Sequence, residues 1–507
     1  MLTGTARAEV FKCPHVGGNF VFAQEASPDS LDQMTSATSS TRNIAMNIYE
    51  SLMTRDENSH PILELAAALK ESADHYTYTF KLRQGVHFHN GKLMTSADVV
   101  ASFDRYSKVG GLRSSLDAVD HWDAPDAATF VIYMKRVQPT FIEALSSFSV
   151  PIVIIPAESR NVAAHQLTQP IGTGPYQLVD ASDDVVKLKR FDRYQPNTTF
   201  QERTGMGGYK QACFDSVTFR VVTEPGARVA GLRSGEFQAV EDIPVSALEE
   251  LKQDSGVVAL PIKDWWIQIA NPNTSRPPTD KLLIRQAIQA ALDMDEIMNA
   301  ATDGSYQLNV GFQYPDQPDY TDAGKETYNL KDAELAKQLL AQAGYQGEPV
   351  VLLTNKDYPP MYNAALVMQQ QLQAVGINAQ MKVVDWPTSV QMMQNTTEGW
   401  NFQVTAWGAQ PYLGALATMQ FLVQPNATYK PPGGADDPDV LAAWNDMNDL
   451  PTAQGRQQAF VRMQKLVLER VYAVPFGSSG KVQAVRSNVA GFVPFRIPRM
   501  SNVWFSN

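Results

Sequence analysis

The sequence predicts an α/β protein of two lobes, with a smaller subdomain inserted into the first lobe. Three observations lead there. Residues 76–105 read as strand, turn and capped helix in one unbroken run; a proline-rich loop, NPNTSRPPTD at 271–280, separates two stretches that can each build a core; and from 284 to 384 helical and strand periods alternate. At 507 residues the chain exceeds one simple core and suits about two to four domains or lobes.

The first strand is expected over 18–24, around NFVFAQ. The loop 25–33 follows, then a packing helix through 41–52 that puts Ile44, Ile48 and Leu52 on one face. Tyr78, Phe80 and Leu82 alternate with Thr79, Lys81 and Arg83, the two-residue period of a half-buried strand. Gln84-Gly85 turns the chain, Val86 and Phe88 restart the alternation, and Asn90-Gly91 suits a tight reversal. Thr95 or Ser96 then caps a helix whose first turn holds Asp98. His87 and His89 share a strand face, as two metal ligands might be spaced, yet no carboxylate or thiolate pattern accompanies them, so they read as structural and no metal site is expected. Gly85, Gly91 and Lys92 imitate a phosphate loop with one residue too many between the glycines and Leu93 in place of Ser or Thr.

Gly172-Thr173-Gly174-Pro175-Tyr176 reads as a turn returning the chain to the first lobe, because two glycines and a proline cannot open a dinucleotide-binding helix. Strands at 185–191 and 217–222, a helix ending at Gly235, the strand Ala239-Val240 and a strand over 265–270 complete that lobe. In the second lobe Ile284, Ala287, Ile288, Ala291 and Leu292 share one helix face, and Leu335, Leu339 and Leu340 another, stopped by Gly344. A strand at 350–353, a helix over 361–375 stopped by Gly376 and a strand at 377–384 imply a mostly parallel sheet covered by helices. Past Pro475 the chain returns through 482–485, and 492–504 rejoins the first lobe. The expected boundaries are 9–58 for the first part of lobe I, 59–169 for the inserted subdomain, 170–269 for the second part of lobe I, 270–478 for lobe II and 479–507 for the return. A cleft between lobes is where small ligands bind, and closure is the expected motion.

Composition narrows the function. With 44% hydrophobic and 19% charged residues the chain is that of a folded, soluble protein. A net charge of -11 argues against nucleic acid or an anionic membrane as partner. No apolar run approaches the roughly 18–20 residues that span a bilayer. Ala6-Arg7-Ala8 has the small-x-small pattern that precedes a signal-peptidase cut, so 1–8 reads as the remnant of a leader and export is expected. Cys13 and Cys213, both in polar, loop-like surroundings, are candidates for a disulfide, with two buried thiols as the alternative. Closing so long a loop would stabilise by about 4–5 kcal/mol on the chain-entropy account.

Several stretches together resemble the large extracytoplasmic solute-binding proteins of the peptide/opine/nickel family (family 5, cluster C type), which feed ATP-driven importers. They are YTFKLRQGVHFHNGKLMTSADVVASFDR, IGTGPYQL at 171–178, NTSRPPTDKLLIRQAIQAALDMDEI at 273–297, AKQLLAQAGY at 336–345 and QQQLQAVGINAQMKVVDW at 369–386. The resemblance implies the type II periplasmic-binding-protein fold, a Venus-flytrap with an extra subdomain in lobe I, working in the periplasm as a monomer without cofactor. It implies capture of a small-molecule ligand without turnover and delivery to the membrane permease and ATPase subunits of an ABC importer. It also centres the site on Trp407-Gly408-Ala409-Gln410, the segment that lines the cleft from lobe II. In peptide-binding members the position matching Gln410 is usually an aspartate that pairs with the peptide's ammonium, and Met393 matches a position that is basic in some oligopeptide binders. With both charged anchors replaced, an ordinary free-amine peptide is disfavoured, since losing such a pair costs about 3–5 kcal/mol.

The remaining candidates are aromatic and amide-rich: Trp386, Tyr412, Trp265, Trp266, Gln24 and Asn271, each Trp having a packed core as its plain alternative. They suit a sugar conjugate, an aromatic acid or a blocked peptide. Arg113 is a further candidate; it, Arg42 and Arg233 read first as solvated surface arginines, with a ligand carboxylate as the alternative partner. Three other functions compete: an oligopeptide or dipeptide receptor with an unusual anchor, a sensory binding protein, and a secreted hydrolase. The hydrolase rests only on Ser478-Ser479-Gly480-Lys481, a Ser-x-x-Lys spacing with no companion motif.

Overall fold

The computed structural model describes residues 9–36, 38–317, 319–395, 398–408, 414–423 and 436–506. The expected leader remnant at 1–8 and the candidates Ala409, Gln410 and Tyr412 lie outside the described residues. One 11-stranded sheet passes through both lobes. From the second lobe inward it runs Ala379–Val384, Val350–Asn355, Phe402–Trp407, Val257–Pro272, Val474–Arg486, and then into the first lobe through Ala239–Val240, Asn19–Gln24, Ser216–Val221, Val185–Arg190 and Tyr176–Ala181. Tyr306–Gln307 pairs to the side of Val474–Arg486.

The second lobe's sheet is mixed rather than mostly parallel. Val350–Asn355 lies parallel to both neighbours, as its helical crossovers require, but Val257–Pro272 joins Phe402–Trp407 antiparallel because it arrives from the other lobe. In the first lobe Asn19–Gln24 is parallel to both its partners. Phe20 stacks on Phe214 with ring centroids 4.8 Å apart, and Phe22 meets Phe219 edge-on at 5.7 Å. The C-terminal tail closes this core: Phe505 packs 4.9 Å from Phe214.

A separate four-stranded antiparallel sheet lies within the 59–169 segment, in the order Ala66–Glu71, Thr77–Leu82, Thr129–Met134, Val119–Asp126. Tyr78, Phe80 and Leu82 are buried, as their period requires. The second strand expected at Val86 and Phe88 shrinks to one bridge, His87 to Leu93, around Gly91 in the left-handed region. His87 Nδ1 lies 2.8 Å from Gly85 O. His89 accepts the Gly172 N–H at Nδ1 (3.3 Å) and sits 3.0 Å from Gly174 O through Nε2, and burial draws its pKa down to about 4. Lys92 is engaged by Asp98 at 2.8 Å and by Glu158 at 3.1 Å, while the Asp98 carboxylate also accepts the Thr95 N–H that opens the helix Ser96–Val109. Residues that imitated metal and phosphate motifs therefore hold this corner together.

The helix expected over 41–52 spans only Ser39–Ala45. Asn47 turns its amide back onto Asn43 O at 2.9 Å, and the carbonyls of Asn47 and Ile48 accept the N–H groups of Tyr176 and Gly174 instead of continuing the helix. A Cβ on Gly174 would stand 2.6 Å from Asn47 O, so this close approach requires glycine. A disulfide joins Cys13 to Cys213 across 200 residues.

A buried cation fastens the same corner. Lys210 Nζ lies 2.9 Å from Glu50 and 2.7 Å from Glu64, with all three side chains less than a tenth exposed. Burial alone would neutralise the amine, but the two carboxylates hold its pKa well above the ordinary lysine value. Lys210→Met would strand two buried carboxylates, and we expect a loss of about 3–5 kcal/mol in denaturant unfolding at pH 7. Adding Glu50→Gln and Glu64→Gln in that background should recover part of it.

Candidate ligand-binding site

Two long strands, Val257–Pro272 and Val474–Arg486, cross between the lobes as an antiparallel pair. Their register breaks between Ile262 and Trp266, where three residues of one strand, 263–265, oppose the single Gly480 of the other and Asp264 takes φ +51°. A Cβ on Gly480 would lie 2.6 Å from Ile262 O, so the irregular backbone is accommodated by glycine opposite it. The break separates two adjacent tryptophans. Trp265 is buried in the core with Lys481 Nζ and the Arg496 guanidinium each 5.1 Å from its ring, whereas Trp266 faces the cleft.

The cleft holds two adjoining chambers that share Trp266, Tyr358, Met361 and Ala406. The smaller, about 140 Å³, has Thr38, Ser39 and Arg42 from lobe I opposite Trp386, Gln403 and Trp407 from lobe II. Tyr358 and Trp386 meet edge-on at 5.1 Å, and the indole Nε1 of Trp386 has no hydrogen-bond partner among the described residues. The larger chamber, about 730 Å³, reaches from Asp242 and Ile243 across the crossing strands to Tyr306 and Asp316. At the cleft's outer edge Arg136 of the inserted subdomain pairs with Asp449 of lobe II, so the two sides touch.

Between the chambers and the lobe I core lies a buried charge cluster. Lys481 Nζ bonds Glu25 and stands 3.3 Å from Glu241, which accepts the Glu25 N–H and the Asn43 amide, each at 3.0 Å. Arg228 reaches Glu25 at 3.5 Å. The Ser-x-x-Lys lysine is thus committed to two carboxylates, and the Ser478 hydroxyl faces Gln307 O at 3.4 Å.

Of the residues picked out from the sequence, Trp266, Trp386, Met393, Trp407 and Gly408 are brought together on the smaller chamber. Gly408 abuts Arg496, whose guanidinium occupies the space any Cβ would need. Gln24, Trp265, Asn271 and Arg113 are not among the lining residues of either chamber. Gln24 is fully buried and folds its amide onto Ala26 O at 2.7 Å; Asn271 lies in the middle of the sheet, paired with Gln403; Arg113 belongs to a short 3-10 turn of the inserted subdomain. Each occupies a strand face or segment that one-dimensional order cannot assign. Arg42, expected at the surface, is buried in the chamber wall, while Arg233 is exposed and paired with Glu250 and Asp254. Tyr358, Met361 and Gln403 went unrecognised, although Tyr358 directly precedes the Pro-Pro pair that opens the helix Pro359–Ala374.

Asp242, in the larger chamber's wall, accepts the Val482 N–H at 3.0 Å. Burial and the neighbouring Glu25 push its pKa up to about 7, against the pull of Lys481 and Arg228. The folded state thus keeps a proton that the unfolded chain, titrating at the ordinary 3.8, has already released. This group's contribution to stability is therefore complete below pH 3.8, is lost as pH rises towards about 7, and is constant above. Asp242→Asn keeps the acceptor and removes the titration, so its melting temperature should climb relative to the parent between pH 4 and 7 and hold a constant lead at pH 8. Calorimetric scans across that range check it.

Comparison with known proteins places the architecture. A profile described as bacterial extracellular solute-binding proteins, family 5 middle, matches residues 60–429. A probable peptide ABC transporter periplasmic-binding protein of Sinorhizobium fredii is 26% identical, over 90% of this chain and 88% of its own. The glutathione-binding protein GsiB of Pectobacterium atrosepticum is 27% identical over 70% of this chain and 67% of its own. Among solved structures, the binding protein AgaA of A. tumefaciens R10 with agropinic acid superposes with a TM-score of 0.83 at 23% identity, covering 97% of this chain and 99% of that one. DppA of Helicobacter pylori with a peptide superposes with a TM-score of 0.84 at 20% identity, covering 97% and 99%. Among the described residues no helix is long and apolar enough to cross a membrane. With a two-lobed fold, a cleft walled from both lobes and a profile match over most of its length, the chain belongs to the bacterial extracellular solute-binding proteins of family 5.

Proposed function

We propose that the chain is the capturing receptor of an ATP-driven importer: its lobes close on a small organic solute outside the cytoplasm and present it to membrane permease and ATPase subunits. The observation that carries this is the composition of the smaller chamber's wall, with Thr38 and Ser39 on one lobe and Gln403 and Trp407 on the other. A solute touching both walls binds the closed form better than the open one, and that difference drives closure. Aromatic faces at Trp266, Tyr358, Trp386 and Trp407 with neutral donors beside them suit an organic body held by stacking and a few hydrogen bonds. The peptide and ABC transporter names of the relatives support the same role. Capture proceeds without turnover, since Lys481 is sequestered by Glu25 and Glu241.

A peptide or other cationic solute is the second reading, favoured by one observation: Asp242, Asp264 and Asp316 line the larger chamber, and Asp316 helps burial raise the pKa of Asp264. A thermal-shift screen of peptides, opines, sugars, aromatic acids and metal chelates separates the classes, because a ligand binding only the folded state raises the melting temperature. Chemical conversion of a bound compound, followed by mass spectrometry, would overturn the receptor role. For a compound that stacks in the smaller chamber, Trp407→Ala should weaken calorimetric binding by about 1–3 kcal/mol. Unchanged affinity would remove Trp407 from the site.

A further inference from the structure

Among its described lining residues the smaller chamber carries a single charged side chain, Arg42. It projects from the short helix Ser39–Ala45 and is 7% exposed. Its Nη2 donates to Ser39 Oγ at 3.3 Å and its guanidinium lies 4.8 Å over the Phe148 ring, but Nε has no hydrogen-bond partner and no ion pair with a described carboxylate neutralises it. Tyr358 and then Asp29 are the groups that favour its charge; Oδ1 of Asp29 accepts from the hydroxyls of Ser36, Thr38 and Thr41 at 2.6–2.8 Å, its Oδ2 has no hydrogen-bond partner among the described residues, and the carboxylate stands beyond ion-pair distance of Arg42. Tyr358 faces it as a neutral phenol, its own ionisation suppressed by burial and by Glu241, Glu25 and Asp357. A second guanidinium, Arg496, stands behind the wall over Trp265 and Trp266 and adds to the positive potential instead of relieving it. Burial first, and Arg496 next, draw Arg42 down to about 9, so it remains a cation at neutral pH.

A buried cation without a counter-ion is costly, and a protein that keeps one in the wall of a cavity gains from the anion that enters. The chamber's volume, about 140 Å³, matches a cavity that holds one aromatic ring. The remaining walls are indole, phenol, thioether, aliphatic, amide and hydroxyl groups.

We propose that Arg42 anchors the carboxylate of a small organic acid whose apolar or aromatic body fills the smaller chamber. This rests on the capture role and names the charge of the solute and the group that reads it. The guanidinium fork meets the two carboxylate oxygens from lobe I, the hydroxyl of Ser39, which accepts from Arg42, stands beside it as a neutral donor, and the body of the acid lies between Trp386 and Trp407 of lobe II. The anion thus belongs to one lobe and the stacking surface to the other, so a molecule needs both parts to hold the cleft shut. An amide of the same shape offers the guanidinium one carbonyl acceptor and no charge, so it satisfies only part of the fork, which makes acid against amide the discriminating comparison.

The test uses the full chain and two matched pairs, phenylacetate with phenylacetamide and indole-3-acetate with its primary amide, read by thermal shift and calorimetry. In the parent protein the acids should raise the melting temperature and bind at least about tenfold more tightly than their amides. Arg42→Met should bind acid and amide alike, and Arg42→Lys, which keeps the charge without the fork, should retain a reduced preference for the acid. Amides binding the parent as tightly as acids, or an acid preference that survives Arg42→Met, would overturn the anchor while leaving solute capture intact. Consumption of a probe by the protein would instead overturn the capture role itself.

Discussion

Two long strands crossing between the lobes as one antiparallel pair tie the molecule together, and the cleft's walls follow from where that pair is interrupted. Because each crossing strand belongs to the sheet of both lobes, the hydrogen-bonded ladder runs from the edge of one lobe to the edge of the other without a gap. The pairing of the two strands is irregular at Ile262 to Trp266, where Gly480 lets the backbones approach, and again between Gln268 and Ile269. The first of these breaks turns Trp265 into the core and Trp266 towards the cleft chambers.

Charge is arranged around this axis in two ways. Lys481, on the second crossing strand, is surrounded by Glu25 and Glu241 and so ties the end of the first strand to the crossing pair; each charge is compensated, and the cluster is structural. Arg42 lies in the wall of the smaller chamber and has no ion pair with a described carboxylate. The contrast matters because burial penalises both cations, yet among the described residues only Lys481 has carboxylates within ion-pair distance. Selectivity for a solute is expected where compensation is missing, and stability where it is complete.

Much of the fold was legible in the sequence because local signals agreed with the final structure. Gly235 and Gly344 end their helices in the left-handed region, the alternation of Tyr78, Phe80 and Leu82 is that of a strand, and Thr95 with Asp98 opens a helix as expected. The failures have identifiable causes. The helix after the first strand stops early because the carbonyls of Asn47 and Ile48 are taken by Gly174 and Tyr176, more than a hundred residues away. The second lobe's sheet is mixed because its neighbours come from the crossing strands and not from the next βαβ unit.

Residue order alone determined the fold class, since periodicity, caps and turn residues are properties of neighbours in the chain, and the family, whose resemblance in turn pointed to the segment at Trp407 and Gly408 that reaches the cleft. Only the tertiary structure decided which of two adjacent tryptophans faces the cleft chambers, that Gln24 and Asn271 are folded away from them, and that Arg42 is buried there without an ion pair to a described carboxylate. Burial and charge compensation depend on side chains brought together from positions as far apart as Glu25 and Lys481 or Arg42 and Trp407, and no local pattern encodes such distances.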